Sequence, residues 1–259
     1  MTLHFLLNTK AEFIKCKNTA AFWLTVAGAA FIPVINVFKC VARPDYFVPV
    51  LQPDPWKVFL EYNWQIAAFF LLIMYVILVT SLVVQIEYRN GTWKQVYSTP
   101  RFHADIFLSK FITVHTLVVG CFILFNFFIV VCGYATGLLE DQYPFFLHPV
   151  PWSEMISVSI KMYASVLAIL VIQYWLSLRF GNFIIPMGIG LALFTVGFMI
   201  RQWENIDYYP YMYPFLVYFK NPGLPPDTAQ KAIVHSLVWS GVGLLLGFLT
   251  MANRKEKGK

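Results

Sequence analysis

Six separate stretches of this chain are apolar enough, and nearly long enough, to cross a lipid bilayer. A helix needs about 20 apolar residues to span about 30 Å of hydrocarbon. Residues 20–38, 64–86, 108–137, 155–178, 183–200 and 231–252 approach or exceed that length. Only helices and closed barrels satisfy every backbone N–H and C=O inside lipid, so runs of this kind dictate helices. The rest of the composition agrees: 59% of residues are apolar and 12% charged, where a soluble domain carries about 25% charged residues. The expectation is one all-α, polytopic membrane domain over residues 1–259, with six transmembrane helices. The fifth stretch is short and holds Pro186 and three glycines, which predicts a kink or close packing.

Six spans place both termini on one side, and the basic residues choose the side. With the termini inside, the inner segments hold Lys10, Lys15, Lys17, Arg89, Lys94, Arg101, Lys110, Arg179, Arg254, Lys255, Lys257 and Lys259. The outer segments hold Lys39, Arg43, Lys57, Arg201, Lys220 and Lys231. Twelve against six predicts cytoplasmic N- and C-termini. The first nineteen residues include Glu12 and run into an apolar stretch too long for a cleaved signal, so the first stretch reads as a retained span.

Segments between the spans have distinct characters. Residues 1–19 mix Leu3, Leu6, Leu7, Phe13 and Ile14 with Lys10, Lys15 and Lys17, the pattern of an amphipathic helix lying on the bilayer face. Residues 39–63 are Pro-rich and read as irregular. Residues 140–152 are short and aromatic. Residues 201–230 are rich in Tyr, which suits either a headgroup anchor or a re-entrant element shaping a substrate exit. Residues 253–259 form a basic tail.

Several kinds of chemistry lack their sequence signals. There is no GxxxxGK[ST] loop to cradle ATP phosphates, no GxSxG, no HExxH and no paired-Cys motif. Cys16, Cys40, Cys121 and Cys132 are spread out and read as free thiols. His115 and His235 fall within spans, where a lone histidine is either functional or satisfied by a neighbouring helix. Asn126 and Gln173 are expected to make interhelical hydrogen bonds. Gly243 and Gly247 form a GxxxG pair suited to close helix packing. Glu154, Ser157 and Lys161 share a face, which suggests a salt-bridged interfacial patch.

The most informative polar stretch is "IEYRNGTWKQVYSTPRFHADIFLSK", residues 86–110, between the second and third spans. Trp93, Val96 and Tyr97 fall at i, i+3 and i+4, on one side of a short helix, with Arg89 and Lys94 nearby. Gly91 permits a break after span two, and Thr99-Pro100 suits a helix restart. Such a helix either lies on lipid headgroups or docks a soluble partner, for which buried Trp, Tyr and flanking Arg are the usual anchors.

This stretch resembles the first cytoplasmic loop of ABC-2 type transporter permeases, most closely in the branch with lantibiotic-immunity and bacitracin-type permeases. Glu87 at the end of span two, Gly91, Thr92 and Lys94 in the turn, Pro100-Arg101, and Ser109-Lys110 stand at the matching places. The resemblance implies that residues 87–107 form a cytoplasmic coupling loop whose short helix is the coupling helix, with Glu87, Arg89, Gly91, Thr92, Trp93, Lys94, Val96, Tyr97, Pro100 and Arg101 as ATPase-coupling residues. It implies a half-transporter that is not itself an enzyme. A second permease, identical or a sister chain, would pair with it, and two ABC ATPase subunits would bind the ATP and Mg. No cofactor is expected in this chain, and no nucleic acid. The place implied is the cytoplasmic membrane of a prokaryote. The cargo implied is amphipathic: an antimicrobial peptide, a lipid-like molecule or a drug. Glu87 is expected to pair with a basic group on the ATPase or on the N-terminal helix. Two other readings remain, a membrane-embedded enzyme or redox subunit, and a membrane scaffold regulated by an ATPase partner.

Overall fold

In the computed structural model, residues 2–89, 91, 103–219 and 223–252 are described. They form ten α-helices with one π turn and two 3-10 turns, and no strand occurs among them. The order is α1 (Thr2–Cys16), α2 (Ala20–Ala42), α3 (Pro44–Leu51), α4 (Pro55–Ile66), a π turn (Ala67–Leu71), α5 (Leu72–Arg89), α6 (His103–Leu139), α7 (Trp152–Arg179), α8 (Ile184–Met199), 3-10 turns at Ile206–Tyr208 and Pro210–Met212, α9 (Tyr213–Tyr218) and α10 (Thr228–Ala252).

Five helical rods are long and apolar enough to cross a membrane: Ala20–Ala42, Pro55–Tyr88, Ala104–Leu139, Trp152–Arg179 and Thr228–Thr250. The chain is a multi-pass membrane protein. The fifth expected span is the exception. α8 has 16 residues, about 24 Å at 1.5 Å per residue, short of the hydrocarbon thickness. It ends at Met199, where the chain turns back over its own neighbours. The ring of Tyr209 and the side chain of Met212 lie where a Cβ on Gly197 would stand, at 2.6 and 2.8 Å. Glycine is therefore required for this close approach.

Residues 39–63 are not irregular, contrary to the expectation from their prolines. Pro44 and Pro55 each sit in the first turn of a helix, where the missing N–H costs nothing, and the Asp54 side chain caps α4 by accepting from the Lys57 N–H at 3.1 Å.

The bundle has a basal end, carrying α1 and the adjoining ends of α5 and α6, and a distal end. α5 contacts α2, α6, α7 and α8; α2 pairs with α6, and α10 with α7. The distal end is closed by residues 140–151, folded against α4. The Trp56 indole N–H donates to the carbonyls of Phe145 and His148, both at 3.0 Å, and Tyr143 donates to the Cys40 carbonyl at 2.8 Å. Gly133 leaves the space for the Trp56 ring, whose nearest carbon would be 2.5 Å from an added Cβ.

Some polar groups within the spans pair between helices, others bond back to their own helix, as Thr25 does to the Ala21 carbonyl and Thr136 to the Cys132 carbonyl, and a few, such as the Thr80 hydroxyl, are buried without a partner among the described residues. Asn126 on α6 donates to Ser159 on α7 at 2.8 Å. Ser236 on α10 donates to the Ala164 carbonyl of α7 at 2.7 Å. His115 lies 2.7 Å from the Tyr163 hydroxyl, and His235 lies 2.7 Å from the Asp207 carbonyl, so the two histidines serve separate contacts. The GxxxG pair packs inside the chain: Gly243 faces Val171, and Gly247 faces Phe107 and Trp175. Glu154 and Lys161 are exposed on α7 with no ion pair between them among the described residues. All four cysteines are free and buried.

Candidate functional site

The basal end holds a concentration of charge that an apolar bundle must account for. Glu12 on α1, Glu87 near the end of α5 and Lys110 on α6 are buried, and Lys15 on α1 lies beside them at the exposed edge of the cluster, its side chain 37% accessible. The four groups form a closed square of alternating sign. Lys110 Nζ lies 2.6 Å from Glu12 Oε2 and 2.6 Å from Glu87 Oε2. Lys15 Nζ lies 2.6 Å from Glu12 Oε1 and 3.0 Å from Glu87 Oε1. Each carboxylate therefore uses both oxygens, one toward each ammonium. Opposite charges in equal number and fully hydrogen-bonded are what allow such groups to leave water.

Local sequence explains the placement. Asn8, Glu12 and Cys16 are buried and lie four residues apart, so they form one stripe of α1 facing the bundle. Leu6, Leu7 and Ile14 are exposed on the other side. The common order is inverted on this helix: the buried stripe is polar, and the apolar Leu6, Leu7 and Ile14 are exposed together with Lys10. The inversion follows from the partner: α1 packs on α6, which presents Lys110. α5 supplies Glu87 in its last turn, so the square joins α1 to the helix before residues 90–102 and the helix after them.

The electrostatics are those of a mutually stabilised cluster. Burial alone would raise the Glu12 carboxyl; the charge and hydrogen bond of Lys110, then those of Lys15, outweigh it and hold Glu12 below its ordinary value. Burial alone would lower Lys15; its hydrogen bond and attraction to Glu12, then to Glu87, raise it. Burial pushes the neighbouring Cys16 thiol up to about 11, which keeps it protonated and unreactive at neutral pH.

These shifts carry a sign. A carboxyl lowered by folding stabilises above its unfolded value and loses that contribution as pH falls through the folded one; a lysine raised by folding stabilises below its unfolded value and loses it on the alkaline side. The stability gap between the native protein and Glu12→Gln is therefore expected to be level from about pH 5.5 to 9.5 and to shrink below about pH 4.5. Thermal unfolding of both in detergent across this range checks it. A gap that widens on acidification would contradict the assignment.

Of the residues expected to couple an ATPase, Glu87 is the one that the structure brings into this square. The basic partner expected for it on the N-terminal helix is Lys15, and Lys110 is a second. Arg89 ends α5, and Gly91 occupies a turn at φ +62°, the left-handed region that glycine tolerates. Thr92, Trp93, Lys94, Val96, Tyr97, Pro100 and Arg101 lie outside the described residues. Glu12, Lys15 and Lys110 were not among the expected site residues. Their signal was available: ionisable residues bordering apolar runs on both sides of one loop are candidates for mutual pairing.

A family model described as ABC-2 family transporter protein matches residues 9–197, which include the second half of the N-terminal helix, the charge square and four of the five long rods. The chain belongs to the ABC-2 transporter family. Neither the characterised proteins nor the solved structures compared with it gave a match. An ABC-2 chain is the membrane component of an ABC transporter, and members of this family generally work with an ABC ATPase. In this ABC-2 chain the square lies where the helices leading into and out of residues 90–102 meet α1. Among the described residues no group of three His, Cys, Asp or Glu side chains is placed to hold a metal ion.

Proposed function

We propose that this ABC-2 chain is the permease half of an ATP-driven exporter, with its termini in the cytoplasm of a prokaryote and residues 87–107 as the coupling segment. Two copies of a separate ATPase bind ATP and Mg beneath a pair of permeases, identical or sister chains. Closure of the ATPases pushes on the coupling segment. The observation that carries this reading is the charge square: it clamps α1, α5 and α6 into one unit, so a push delivered between Arg89 and His103 moves three helices together. A lone loop would bend and dissipate the same displacement.

The cargo is amphipathic: an antimicrobial peptide, a lipid-like molecule or a drug. The described part of residues 201–230, namely 201–219 and 223–230, forms a re-entrant element on the exit path. Supporting this, Gln173 of α7 donates to the Tyr211 hydroxyl at 2.7 Å, although Gln173 lies about 9 Å along the helix from its basal end at Arg179. Ile206, Met212, Tyr213 and Leu216 cluster with Ala168 and Ala232, well inside the bundle. An anchor floating at headgroup level would not reach those positions.

The test is reconstitution. The permease alone in proteoliposomes is expected to hydrolyse no ATP. Adding its ATPase should produce hydrolysis that amphipathic peptides stimulate and that is accompanied by their movement across the bilayer. Hydrolysis by the permease alone, free of contaminating ATPase, would overturn the half-transporter reading. Stimulated hydrolysis without cargo movement would favour the scaffold reading instead.

A further inference from the structure

Away from the charge square, α2, the α4–α5 rod and α6 enclose a cavity of about 290 Å³. Ala29, Ile32, Trp64, Tyr75, Cys121 and Phe125 on its wall are buried. Four small residues are among those that line it, Ala27, Gly28 and Ala29 on α2 and Ala67 where the π turn begins, and none of them reaches far into the space between the helices. Ala27 and Phe31 are exposed, and Leu71, Met74 and Leu78 are half-buried, so the cavity opens sideways between α2 and α5 within the spans. The lining extends from Trp64 to Leu78, about 21 Å along the rod, and from Leu24 to Ile32, about 12 Å along α2.

We infer that this cavity binds a single hydrocarbon tail entering laterally from the bilayer. The wall offers little polar chemistry: the Tyr75 hydroxyl is engaged, donating to the Leu117 carbonyl at 3.0 Å and meeting the Thr25 hydroxyl at 3.0 Å, and the buried Trp64 indole N–H is the donor left without a partner among the described residues of the wall. A peptide or a headgroup carries several donors and acceptors, and one indole N–H would leave most of them without partners, at a cost of several kcal/mol in an apolar site. An alkyl chain has no such groups, and it recovers the dispersion contacts that an empty cavity forfeits. An apolar cavity of about 150 Å³ already binds benzene. The lateral opening suits a chain anchored elsewhere by its headgroup, and the elongated lining suits a tail over a compact ligand. The site does not depend on the exporter reading; the tail belongs either to a resident bilayer lipid or to a lipid-like cargo.

The probe is a phosphatidylcholine with a diazirine in its acyl chain, mixed into nanodiscs that hold the full-length chain. After irradiation, adducts on residues 24–32 and 64–78 are expected at least about five-fold above those on 237–249, the bilayer-facing surface of α10. Cavity labelling should saturate as the probe lipid is raised, while labelling of α10 rises in proportion. Gly28→Leu and Ala29→Phe, which fill the hollow, should bring cavity labelling to the α10 level and leave α10 unchanged. Saturation needs no substitution, so the result stands even if both variants fail to fold. With the ATPase added, labelling that falls on ATP turnover identifies cargo, and labelling that ignores ATP identifies a resident lipid; either supports the tail site. Labelling at the α10 level without saturation would overturn it. So would efficient cross-linking of two Ala27→Cys chains through the opening, which would give that face to a second copy.

Discussion

Lys110→Met is expected to lower the thermal midpoint of the purified permease by about 6–20 °C. The side chain is 2% exposed and bridges both carboxylates at 2.6 Å. Its removal leaves Glu12 and Glu87 buried with only Lys15 between them. Breaking a buried pair by deleting one partner costs about 3–5 kcal/mol, and each kcal/mol moves the midpoint of a chain this size by about 2–4 °C. Neutralising the whole cluster, as Lys110→Met with Glu12→Gln and Glu87→Gln, should recover much of the loss, because the penalty comes from unpaired charge more than from the missing bond. Release of α1 should appear as faster tryptic cleavage after Lys17, which is exposed in the link to α2. A single variant as stable and as protease-resistant as the native protein would show that the square does not hold α1 to the bundle.

Trp93→Asp is expected to weaken ATPase binding about 30- to 1000-fold, the loss of about 2–4 kcal/mol that accompanies removal of an aromatic anchor at a protein interface. Membrane insertion and the thermal midpoint should be unchanged, since the charge square and the spans are untouched. Co-purification of the two subunits, titrated by concentration, measures the affinity. Cargo-stimulated hydrolysis measures coupling. Together with Lys110→Met this separates two functions: one variant should disturb the clamp while Trp93 remains available for docking, the other should abolish docking with the clamp intact. Native affinity and native stimulation in Trp93→Asp would remove this segment from the interface.

Much of the architecture was legible because lipid leaves few solutions. Long apolar runs announced helices, and five of the six stretches fall on the five long helical rods. The fifth stretch, residues 183–200, agrees with the helix Ile184–Met199 to within one residue at each end, and its shortness was visible; what could not be read was that the following turns fold back toward Gln173. Prolines misled at residues 39–63, because the same residue breaks a helix interior and starts a helix well, and local composition does not say which. The site was half legible. Glu87 stood out as a carboxylate ending an apolar run, with a basic partner expected on the ATPase or on the N-terminal helix; Lys110 stood at a matching place of the family's loop but was given no partner, and Glu12 looked like an ordinary polar position.

By itself, the sequence determined that this chain lives in a bilayer as an all-helical bundle, that a polar segment separates its second and third apolar runs, and that the signals for an ATP-binding loop are missing. Those properties follow from hydropathy and from local motifs, which act within a few turns of chain. Tertiary structure alone decided which side of α1 meets the bundle, that four charges separated by as many as 98 residues close into one square, and that three alanines and a glycine help line a hollow between spans. Pairing and packing over such distances depend on which helix faces come together, and that is a property of the whole fold.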